Sequence, residues 1–353
     1  MAVSERALVG SILGTAVGDA LGLPYEGLSK RRAARLLGPP TRYRLLPGRG
    51  MISDDTEHAC MTMQALTASG DDVETFARQL AKRLRLWLLA VPAGAGLATL
   101  KATTRLCFGV PPHRSGVFSA GNGPAMRSAV LGTAIDDLDL LQKFVRASTR
   151  ITHTDPQAEH GALAVALAAR WAADGLPISP GELAAELQSL LPDENAQRFH
   201  KLIGQAVESA ARGDSAETFA AMLGLERGVS GYVYHTVPVA LQVWFRRPTE
   251  LPEAVVEVVR CGGDTDSTAA IVGGIIGGAS GKDGIPADWL SRLWEWPRTV
   301  AWMEQLACRL YEARSRRTPL RPPTLPAWGV LPRNACFAAV VLGHGLRRVL
   351  PPY

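Results

Sequence analysis

The sequence predicts an all-α protein, and three observations support this fold class. Apolar residues recur at helical spacing along most of the 353 residues. Only residues 254–259 have the composition of a strand, and Glu253 and Glu257 allow that run to be a helix as well. Two glycine-rich apolar segments, 4–22 and 268–279, favour helices that pack closely together. An apolar content of 47% is sufficient for a large core.

The first helix is predicted at residues 4–22. Ser4 is a suitable N-cap, and the apolar residues that follow have the spacing of a core-facing stripe. Four glycines, at 10, 14, 18 and 22, fall on one face of this helix. Because glycine lowers helix propensity, we expect close packing against another helix, 268–279, as the compensation. Asp19 and Glu26 then lie near the same end of the first helix.

Further helical patterns cover most of the remaining chain. They lie at residues 72–90, 97–108, 122–131, 136–148, 157–173, 181–190, 195–212 and 286–313. An apolar segment also follows the loop 228–232 and runs to Phe245. Five prolines between 315 and 333 indicate a stiff linker, and 335–349 has the pattern of a short final helix. The sequence thus predicts a domain at 1–313 and a basic, proline-rich extension at 314–353.

The net charge of +5 is distributed unevenly. Residues 313–353 hold seven arginines and no acidic residue. Removing these seven from the 38 Lys and Arg leaves 31, which nearly balance the 33 acidic residues. A basic tail of this kind suggests an anionic partner such as nucleic acid, and a solvated tail without any partner is the alternative.

The cysteine pattern predicts reduced thiols. The five cysteines are odd in number, widely spread and mostly set among apolar neighbours, so we expect no disulfides. The first residues show no basic segment followed by an apolar stretch and a cleavage site, so no signal peptide is predicted. We therefore expect a cytoplasmic protein that does not bind membranes, and a monomer.

Residues 261–282 have the pattern with the clearest chemical implication. A Gly-Gly turn delivers two carboxylates, Asp264 and Asp266, to the start of an apolar helix, with a hydroxyl residue after each. Like charges at this spacing repel, and a helix N-terminus relieves the repulsion only in part. A divalent cation relieves it fully, and oxygen ligands suit Mg²⁺, Mn²⁺ or Ca²⁺ rather than Zn²⁺. Helix capping by these residues is the alternative.

A second cluster of acids and hydroxyls lies at residues 53–56, Ser-Asp-Asp-Thr. It again precedes an apolar segment, so it too is placed at the start of a helix. Asp54 and Glu57 have the spacing of a capping box. One such cluster is explained by capping, whereas two of them suggest a shared metal site.

Two loops carry weaker signals. The Gly-Asn-Gly sequence at 121–123 enters a predicted helix, and its free N–H groups suit a phosphate, although the same residues also form ordinary turns. His153 stands beside a turn at 152–156, where either a structural or a catalytic role is open.

Taken in order, five segments resemble the ADP-ribosylglycohydrolase family, which includes hydrolases of ADP-ribosylarginine and ADP-ribosylserine and the J1 crystallins. The segments are 10–27, 53–56, 121–127, 152–156 and 262–281. The resemblance implies a compact, orthogonally packed all-α domain with two Mg²⁺ or Mn²⁺ ions. It implies a hydrolase that releases ADP-ribose from a modified acceptor, in the first place arginine on a protein. Serine, nucleic acid and small-molecule acceptors stay open.

The resemblance also assigns residues. It implies that the metal ligands are Ser53, Asp54, Asp55, Asp264, Asp266 and Ser267, with Asp266 bridging the two ions. Glu26 would be a ligand or a gate, and Asp55 or Glu26 the general base. The residues implied for the substrate are Ser119, Gly121, Asn122 and Gly123 at the diphosphate, His153 at the distal ribose, and Gly231 and Tyr232 beside the adenosine. The family usually has Thr where this chain has Ser53 and Ser267, so we expect slightly looser geometry.

Two other classes of protein compete with this interpretation. Residues 264–268 also fit the Asp-x-Asp-x-Thr motif of haloacid-dehalogenase-type phosphatases, with 255–259 as the preceding strand. That fold needs alternating strands and helices, of which this sequence has few. A non-catalytic binding or structural protein on the same scaffold, like the crystallins, is the other alternative. The intact acidic clusters argue against it.

Overall fold

The computed structural model describes residues 3–175 and 179–350. Within these ranges the chain forms 18 α-helices and no β-sheet, which confirms the predicted all-α class. The helices are α1 Glu5–Gly22, α2 Lys30–Leu36, α3 Asp54–Ser69, α4 Val73–Leu89, α5 Leu97–Cys107, α6 Pro112–Ser115, α7 Ala129–Ala134, α8 Leu138–Arg150, α9 Pro156–Ala173, α10 Pro180–Leu190, α11 Gln197–Ala211, α12 Ala216–Met222, α13 Val233–Arg246, α14 Leu251–Arg260, α15 Thr265–Ser280, α16 Ala287–Ser291, α17 Val300–Ser315 and α18 Ala327–Val349. The outer ends of the two predicted domains, residues 1–2 and 351–353, lie outside the described residues.

Helices α1 and α15 form the centre of the protein, and their glycines bring the two backbones into contact. A Cβ atom added to Gly10 would lie 2.0 Å from the carbonyl oxygen of Gly277, and one on Gly14 would lie 2.1 Å from that of Gly273. Only glycine permits so close an approach. The predicted packing of 4–22 against 268–279 is therefore confirmed, and Ser4 caps α1 by accepting a hydrogen bond from the Ala7 N–H.

The other helices surround this pair. Helix α1 also packs against α3, α7 and α17, and α15 packs against α9, α13 and α14. Buried apolar side chains from nearly all these helices join in one large core. The region Glu5–Tyr25 is long and apolar enough to cross a membrane, with a mean hydropathy of 1.4, but 94% of it is buried inside the protein. Its apolar character is thus accounted for by its place in the core.

Two predicted elements differ in the structure, and one that the sequence left open between strand and helix is resolved. Residues 254–259 belong to helix α14, so the strand that a haloacid-dehalogenase-type phosphatase requires there is absent. The predicted helix 122–131 becomes a short 3₁₀ turn followed by α7, because the backbone of residues 120–122 bonds instead to residues 231 and 233.

The final helix differs most. It begins at residue 327, eight residues before the prediction, and runs through Pro332. Tertiary contacts hold this first part in place: Trp328 packs on Trp296 with ring centroids 5.1 Å apart, and Arg333 is buried in the body of the protein. Further along, Phe337 joins a small apolar cluster, which we call the α18 anchor, with Leu23, Leu45 and Met51. Helix α18 is therefore packed onto the main body and is longer than predicted.

All five cysteines are free, which confirms the prediction that the chain has no disulfides.

Candidate active site

Asp19, at the end of α1, holds the start of α3. Its carboxylate is fully buried and accepts hydrogen bonds from the Ser53 N–H at 2.9 Å, the Thr56 N–H at 3.2 Å and the Thr56 hydroxyl at 2.5 Å. Burial raises the pKa of Asp19 to about 6, although these hydrogen bonds oppose the rise. The Ser53 hydroxyl in turn caps α3 through the Asp55 N–H. Asp19 thereby fixes the first acidic cluster relative to α1.

Asp55 joins the two acidic clusters. Its Oδ2 accepts hydrogen bonds from the Ser53 hydroxyl at 3.1 Å and from the Ser267 hydroxyl at 3.2 Å, although Ser267 lies 212 residues further along the chain. Its second oxygen, Oδ1, is buried and has no hydrogen-bond partner among the described residues. The clusters at 53–56 and 264–267 thus form one site, and this site contains a carboxylate oxygen that needs a ligand.

The second cluster enters this site through the predicted Gly-Gly turn. Gly262 and Gly263 have φ of 72° and 86°, and a Cβ on Gly263 would lie 2.0 Å from the Val229 carbonyl oxygen. Both positions therefore require glycine. The Asp264 side chain does not cap α15. It points instead to Asn122, whose Nδ2 donates to Asp264 Oδ2 at 2.7 Å. The capping alternative for Asp264 is accordingly wrong.

Negative charge accumulates where the two helix starts meet. Burial raises the pKa of Asp55 well above its usual value, and the charges of Asp54, Asp19 and Asp264 raise it further. Burial also raises the pKa of Asp54 and of Asp266; for Asp266 the charges of Glu26 and Asp264 add to the rise. Carboxylates that oppose one another's ionisation in this way are relieved by a cation.

The donor set fits a hard divalent cation. The six predicted ligands offer only oxygen atoms from their side chains; they are Ser53, Asp54, Asp55, Asp264, Asp266 and Ser267. The Oδ1 atom of Asp55 is buried and without a hydrogen-bond partner among the described residues. Among the described residues, no group of three or more Asp, Glu, His or Cys side chains is arranged so that it could hold a metal ion. The ligand assignment therefore stays a prediction.

Glu26 lies at the solvent side of these carboxylates. The residue as a whole is exposed, yet partial burial of its carboxyl group and the charge of Asp264 raise its pKa, while Arg348 opposes the rise. Arg348 donates hydrogen bonds to the carbonyl oxygens of Glu26 at 2.8 Å and Pro24 at 2.7 Å. Glu26 is thus near enough to Asp264 and Asp266 for their charges to interact, and its role as a ligand, a gate or the general base stays a prediction.

Three isolated β-bridges connect the loops that carry the predicted substrate residues. They pair Val117 with His153, Gly121 with Tyr232, and Val229 with Gly263. The bridges link the loop that contains Ser119 to the loop before α13 and, through it, to the Gly-Gly turn. All seven predicted substrate residues, Ser119, Gly121, Asn122, Gly123, His153, Gly231 and Tyr232, therefore lie on loops that join the acidic site.

Gly231 and His153 show how tightly these loops fit. A Cβ on Gly231 would lie 2.8 Å from Asp264 Oδ2, and Cβ atoms on Gly121 and Gly123 would lie 3.1 and 3.0 Å from the His153 ring. His153 is buried beneath that loop, and burial together with the charge of Arg127 lowers its pKa to about 3. Its imidazole is therefore neutral at ordinary pH. Phe118, on the same loop, is 80% exposed and was not predicted as a site residue.

Comparison with known proteins identifies the chain. Residues 2–319 match the family model of ADP-ribosylglycohydrolase. The chain belongs to the ADP-ribosylglycohydrolase family. It is accordingly a glycosidic-bond hydrolase, and this family hydrolyses the bond between ADP-ribose and a modified acceptor.

Individual ADP-ribosylglycohydrolase relatives are similar over most of their length. An uncharacterized protein of Archaeoglobus fulgidus is 34% identical over 313 residues, 86% of this chain and 96% of the relative. The ADP-ribosyl-[dinitrogen reductase] glycohydrolase of Rhodospirillum rubrum is 30% identical, and the match covers 82% of this chain and 91% of that protein. A solved ADP-ribosylglycohydrolase-related protein complex superposes with a TM-score of 0.64 at 28% identity, covering 88% of this chain and 98% of that one.

A buried ion network behind α3 was missed by the sequence reasoning. Glu57, predicted to form a capping box with Asp54, instead accepts hydrogen bonds from Arg298 at 2.7 Å and Arg333 at 3.3 Å. The capping box is therefore wrong, because these guanidinium groups compete more strongly for the carboxylate. Arg333 lies beyond the part of the chain that matches the ADP-ribosylglycohydrolase family model.

This network holds the residue before the first acidic cluster. Arg333 donates to the Ile52 carbonyl oxygen at 2.6 Å, and the Ile52 N–H donates to Glu295 at 3.2 Å. Arg333 and Glu295 are themselves paired by two hydrogen bonds, of 2.7 and 2.8 Å. Both polar groups of the Ile52 peptide are thereby fixed next to Ser53. The only sequence signal for this role is the arginine content of the extension.

Proposed function

We propose that this protein hydrolyses ADP-ribose conjugates through a binuclear Mg²⁺ or Mn²⁺ centre held by the two acidic clusters. The observation that supports this most directly is the convergence of Ser53, Asp55 and Ser267 through hydrogen bonds at one buried carboxylate. Two groups of oxygen ligands from distant parts of the chain meet there, and one ligand oxygen is free. The likeness to the ADP-ribosyl-[dinitrogen reductase] glycohydrolase supports the substrate class.

Hydrolysis breaks the bond between C1 of the ribose and the acceptor, forms a new bond from C1 to a water oxygen, and returns a proton to the acceptor. When bound, two divalent ions supply electrostatic stabilisation at the ribose and lower the pKa of the attacking water. Asp55 or Glu26 accepts the proton from that water. Glu26 suits this role because it lies at the solvent side of the site, and because partial burial and the charge of Asp264 raise its pKa.

The loops around the site position the rest of the substrate. The backbone of this loop is fixed by two bridges, from Val117 to His153 and from Gly121 to Tyr232, so residues 119–123 offer a preorganised surface for the diphosphate. Asn122 links this loop to Asp264 and would couple the diphosphate to the reacting ribose. His153 is neutral and buried beneath the loop, so it supports the loop without adding charge. Tyr232 and the exposed ring of Phe118 suit the adenosine.

The acceptor is assigned by resemblance in the first place to arginine on a protein. Serine, nucleic acid and small-molecule conjugates are the alternatives, and a direct assay separates them. Free ADP-ribose released from arginine-, serine- and nucleic-acid-linked substrates is measured with Mg²⁺, with Mn²⁺ and with EDTA. We expect release from at least one conjugate with either metal, and none with EDTA.

The variants Asp264→Ala and Asp266→Ala test the metal centre. Each should abolish turnover and remove the rise in melting temperature that Mg²⁺ or Mn²⁺ produces, while the circular dichroism stays helical. Asp283→Ala is the matched control, because Asp283 is an exposed acid just after α15. Undiminished activity in both site variants, or activity in EDTA, would refute the proposed mechanism.

A further inference from the structure

A basic cavity of about 640 Å³ lies beside the candidate active site, between the residues that follow α2 and helix α18. Its charged side chains are those of Arg42, Arg44, Arg347 and Arg348, and His344 lines it as well. The other lining residues are mostly apolar, and no acidic residue of the described chain lines the cavity. This concentration of positive charge has no counterpart in the predicted ADP-ribose site.

The cavity forms because the fold brings together two segments without acidic residues. Residues 28–50 contain seven Lys and Arg and no Asp or Glu, and residues 313–353 contain seven Arg and likewise no acid. They lie nearly 300 residues apart in sequence. The α18 anchor packs one segment against the other, so the two basic walls are held facing each other.

Arg42, Arg44 and Arg348 form no salt bridge with any carboxylate of the described residues, and the Nε atoms of Arg44 and Arg348 are buried without a hydrogen-bond partner. Guanidinium groups that face one cavity repel each other, and an anion between them removes the repulsion. Phosphate is the anion that several guanidinium groups recognise best, because each of them can donate two parallel hydrogen bonds.

Arg348 connects the cavity to the catalytic carboxylates. It lines the cavity and also donates to the Glu26 carbonyl oxygen. Burial lowers the pKa of Arg348, and the charges of Glu26 and Asp266 partly oppose that lowering. The loop predicted to bind the diphosphate is connected to the same carboxylates through another contact, the hydrogen bond from Asn122 to Asp264. The cavity therefore adjoins the carboxylates on the Glu26 side, which leaves it free for the acceptor while ADP-ribose occupies the loop side.

We propose that this cavity binds the phosphate groups of a nucleic-acid acceptor, a single strand that carries ADP-ribose near its end. This inference rests on the proposed hydrolase function. The cavity has the volume of a pocket for one small ligand or nucleotide. Positive charge continues beyond it on the exposed Arg31 and Arg35 of α2, as repeated backbone phosphates require. A single phosphate on a peptide does not require this further positive charge, and a cationic arginine acceptor is repelled by it.

Binding of a fluorescent, 5′-phosphorylated single-stranded 12-mer tests the proposal by anisotropy in EDTA, where no turnover occurs. The variant Arg42→Ala/Arg347→Ala removes two exposed charges from the cavity. We expect its affinity to fall at least tenfold at low salt, and the salt slope to decrease by about 1.4, the contribution of two phosphate contacts on a single strand. The control Arg85→Ala/Lys101→Ala removes two exposed charges elsewhere and should bind like the wild type.

Competition experiments identify the source of the phosphate. Unlabelled oligonucleotide should displace the probe at a far lower phosphate concentration than inorganic phosphate or a phosphopeptide of equal charge. Equal binding by the cavity variant and the wild type would overturn the proposal, and so would equal competition by the phosphopeptide or by inorganic phosphate. Because binding is measured without metal, its outcome does not depend on whether the proposed hydrolysis is observed.

Discussion

At the scale of single residues, the candidate site is built from ionisable groups whose charge is opposed by burial. Asp55 and Asp266 are buried beside other carboxylates, which raises their pKa values, whereas burial lowers the pKa of His153 to about 3. A cation would relieve the repulsion between these acids, and the imidazole of His153 beneath the loop 119–123 carries no charge. Each group has a distinct electrostatic role because its immediate surroundings differ.

The buried His153 should make the protein less stable in acid. In the folded protein its pKa is about 3, and in the unfolded chain it returns to about 6.5. Between these values the unfolded chain binds more protons, so the free energy of unfolding falls as the pH is lowered through this window, by up to about 1.4 kcal/mol per unit. From pH 6.5 to 5, wild-type protein should lose about 1.6 kcal/mol more free energy of unfolding than His153→Gln, measured by urea denaturation.

The control for this measurement is His113→Gln, which removes an exposed imidazole and should keep the wild-type dependence on pH. Parallel curves for His153→Gln and wild-type protein would show that His153 is protonated equally in the folded and unfolded states.

At the scale of elements, the contact of α1 with α15 determines where the carboxylates of the candidate site lie. The close approach continues to the ends of both helices, since a Cβ on Gly22 would lie 2.3 Å from the Thr265 carbonyl oxygen. Asp19 near the end of α1 and Asp266 at the start of α15 are thereby held on neighbouring turns. The glycines of these helices consequently serve the site as well as the core.

Gly277→Ala should destabilise the protein by about 3 kcal/mol or more, because the added methyl group would lie 2.2 Å from the Gly10 carbonyl oxygen. Gly278→Ala should cost less, since its methyl group would lie 3.1 Å from the Thr133 side chain and 3.7 Å from the Ala169 carbonyl oxygen, an ordinary contact distance. Gly204→Ala, at a helical position with no atom within 4 Å, should be neutral or stabilising by up to about 1 kcal/mol. Chemical denaturation of the three variants should show this order in the loss of free energy of unfolding. Equal losses in all three would contradict the close packing of α1 and α15.

At the scale of the whole molecule, the C-terminal extension is connected to the site at two places. Arg333 holds the Ile52 carbonyl group next to the first acidic cluster, and Arg348 binds the backbone at Glu26. Both arginines lie beyond residue 319, where the match to the family model ends. The extension is therefore positioned to support catalysis in this chain, in addition to forming one wall of the basic cavity.

Arg333→Ala should cost about 3–5 kcal/mol of stability, because Glu295 and Glu57 would keep buried charges without this partner. Activity should fall as well, because the Ile52 carbonyl group would lose its hydrogen bond beside Ser53. Denaturation and the ADP-ribose release assay measure the two effects. In a double-mutant cycle, Glu295→Gln should cause little further loss of stability in a protein that already carries Arg333→Ala.

Arg321→Ala is the control for this variant, since Arg321 belongs to the same extension but has an exposed side chain. It should leave stability and activity within the usual range for a surface substitution. Additive costs of the Arg333 and Glu295 substitutions would refute a shared role at Ile52.

Local patterns in the sequence were enough to predict the all-α class, the α1 and α15 pair and the two acidic clusters, because helical periodicity, glycine spacing and adjacent carboxylates are properties of neighbouring residues. The hydrogen bonds from Ser53 and Ser267 to Asp55, the turn of Glu57 away from its expected cap, the full length of α18 and the basic cavity were decided only by the tertiary structure. Each of these depends on partners far apart in the chain, and a side chain takes the partner that burial brings to it, which no local pattern specifies.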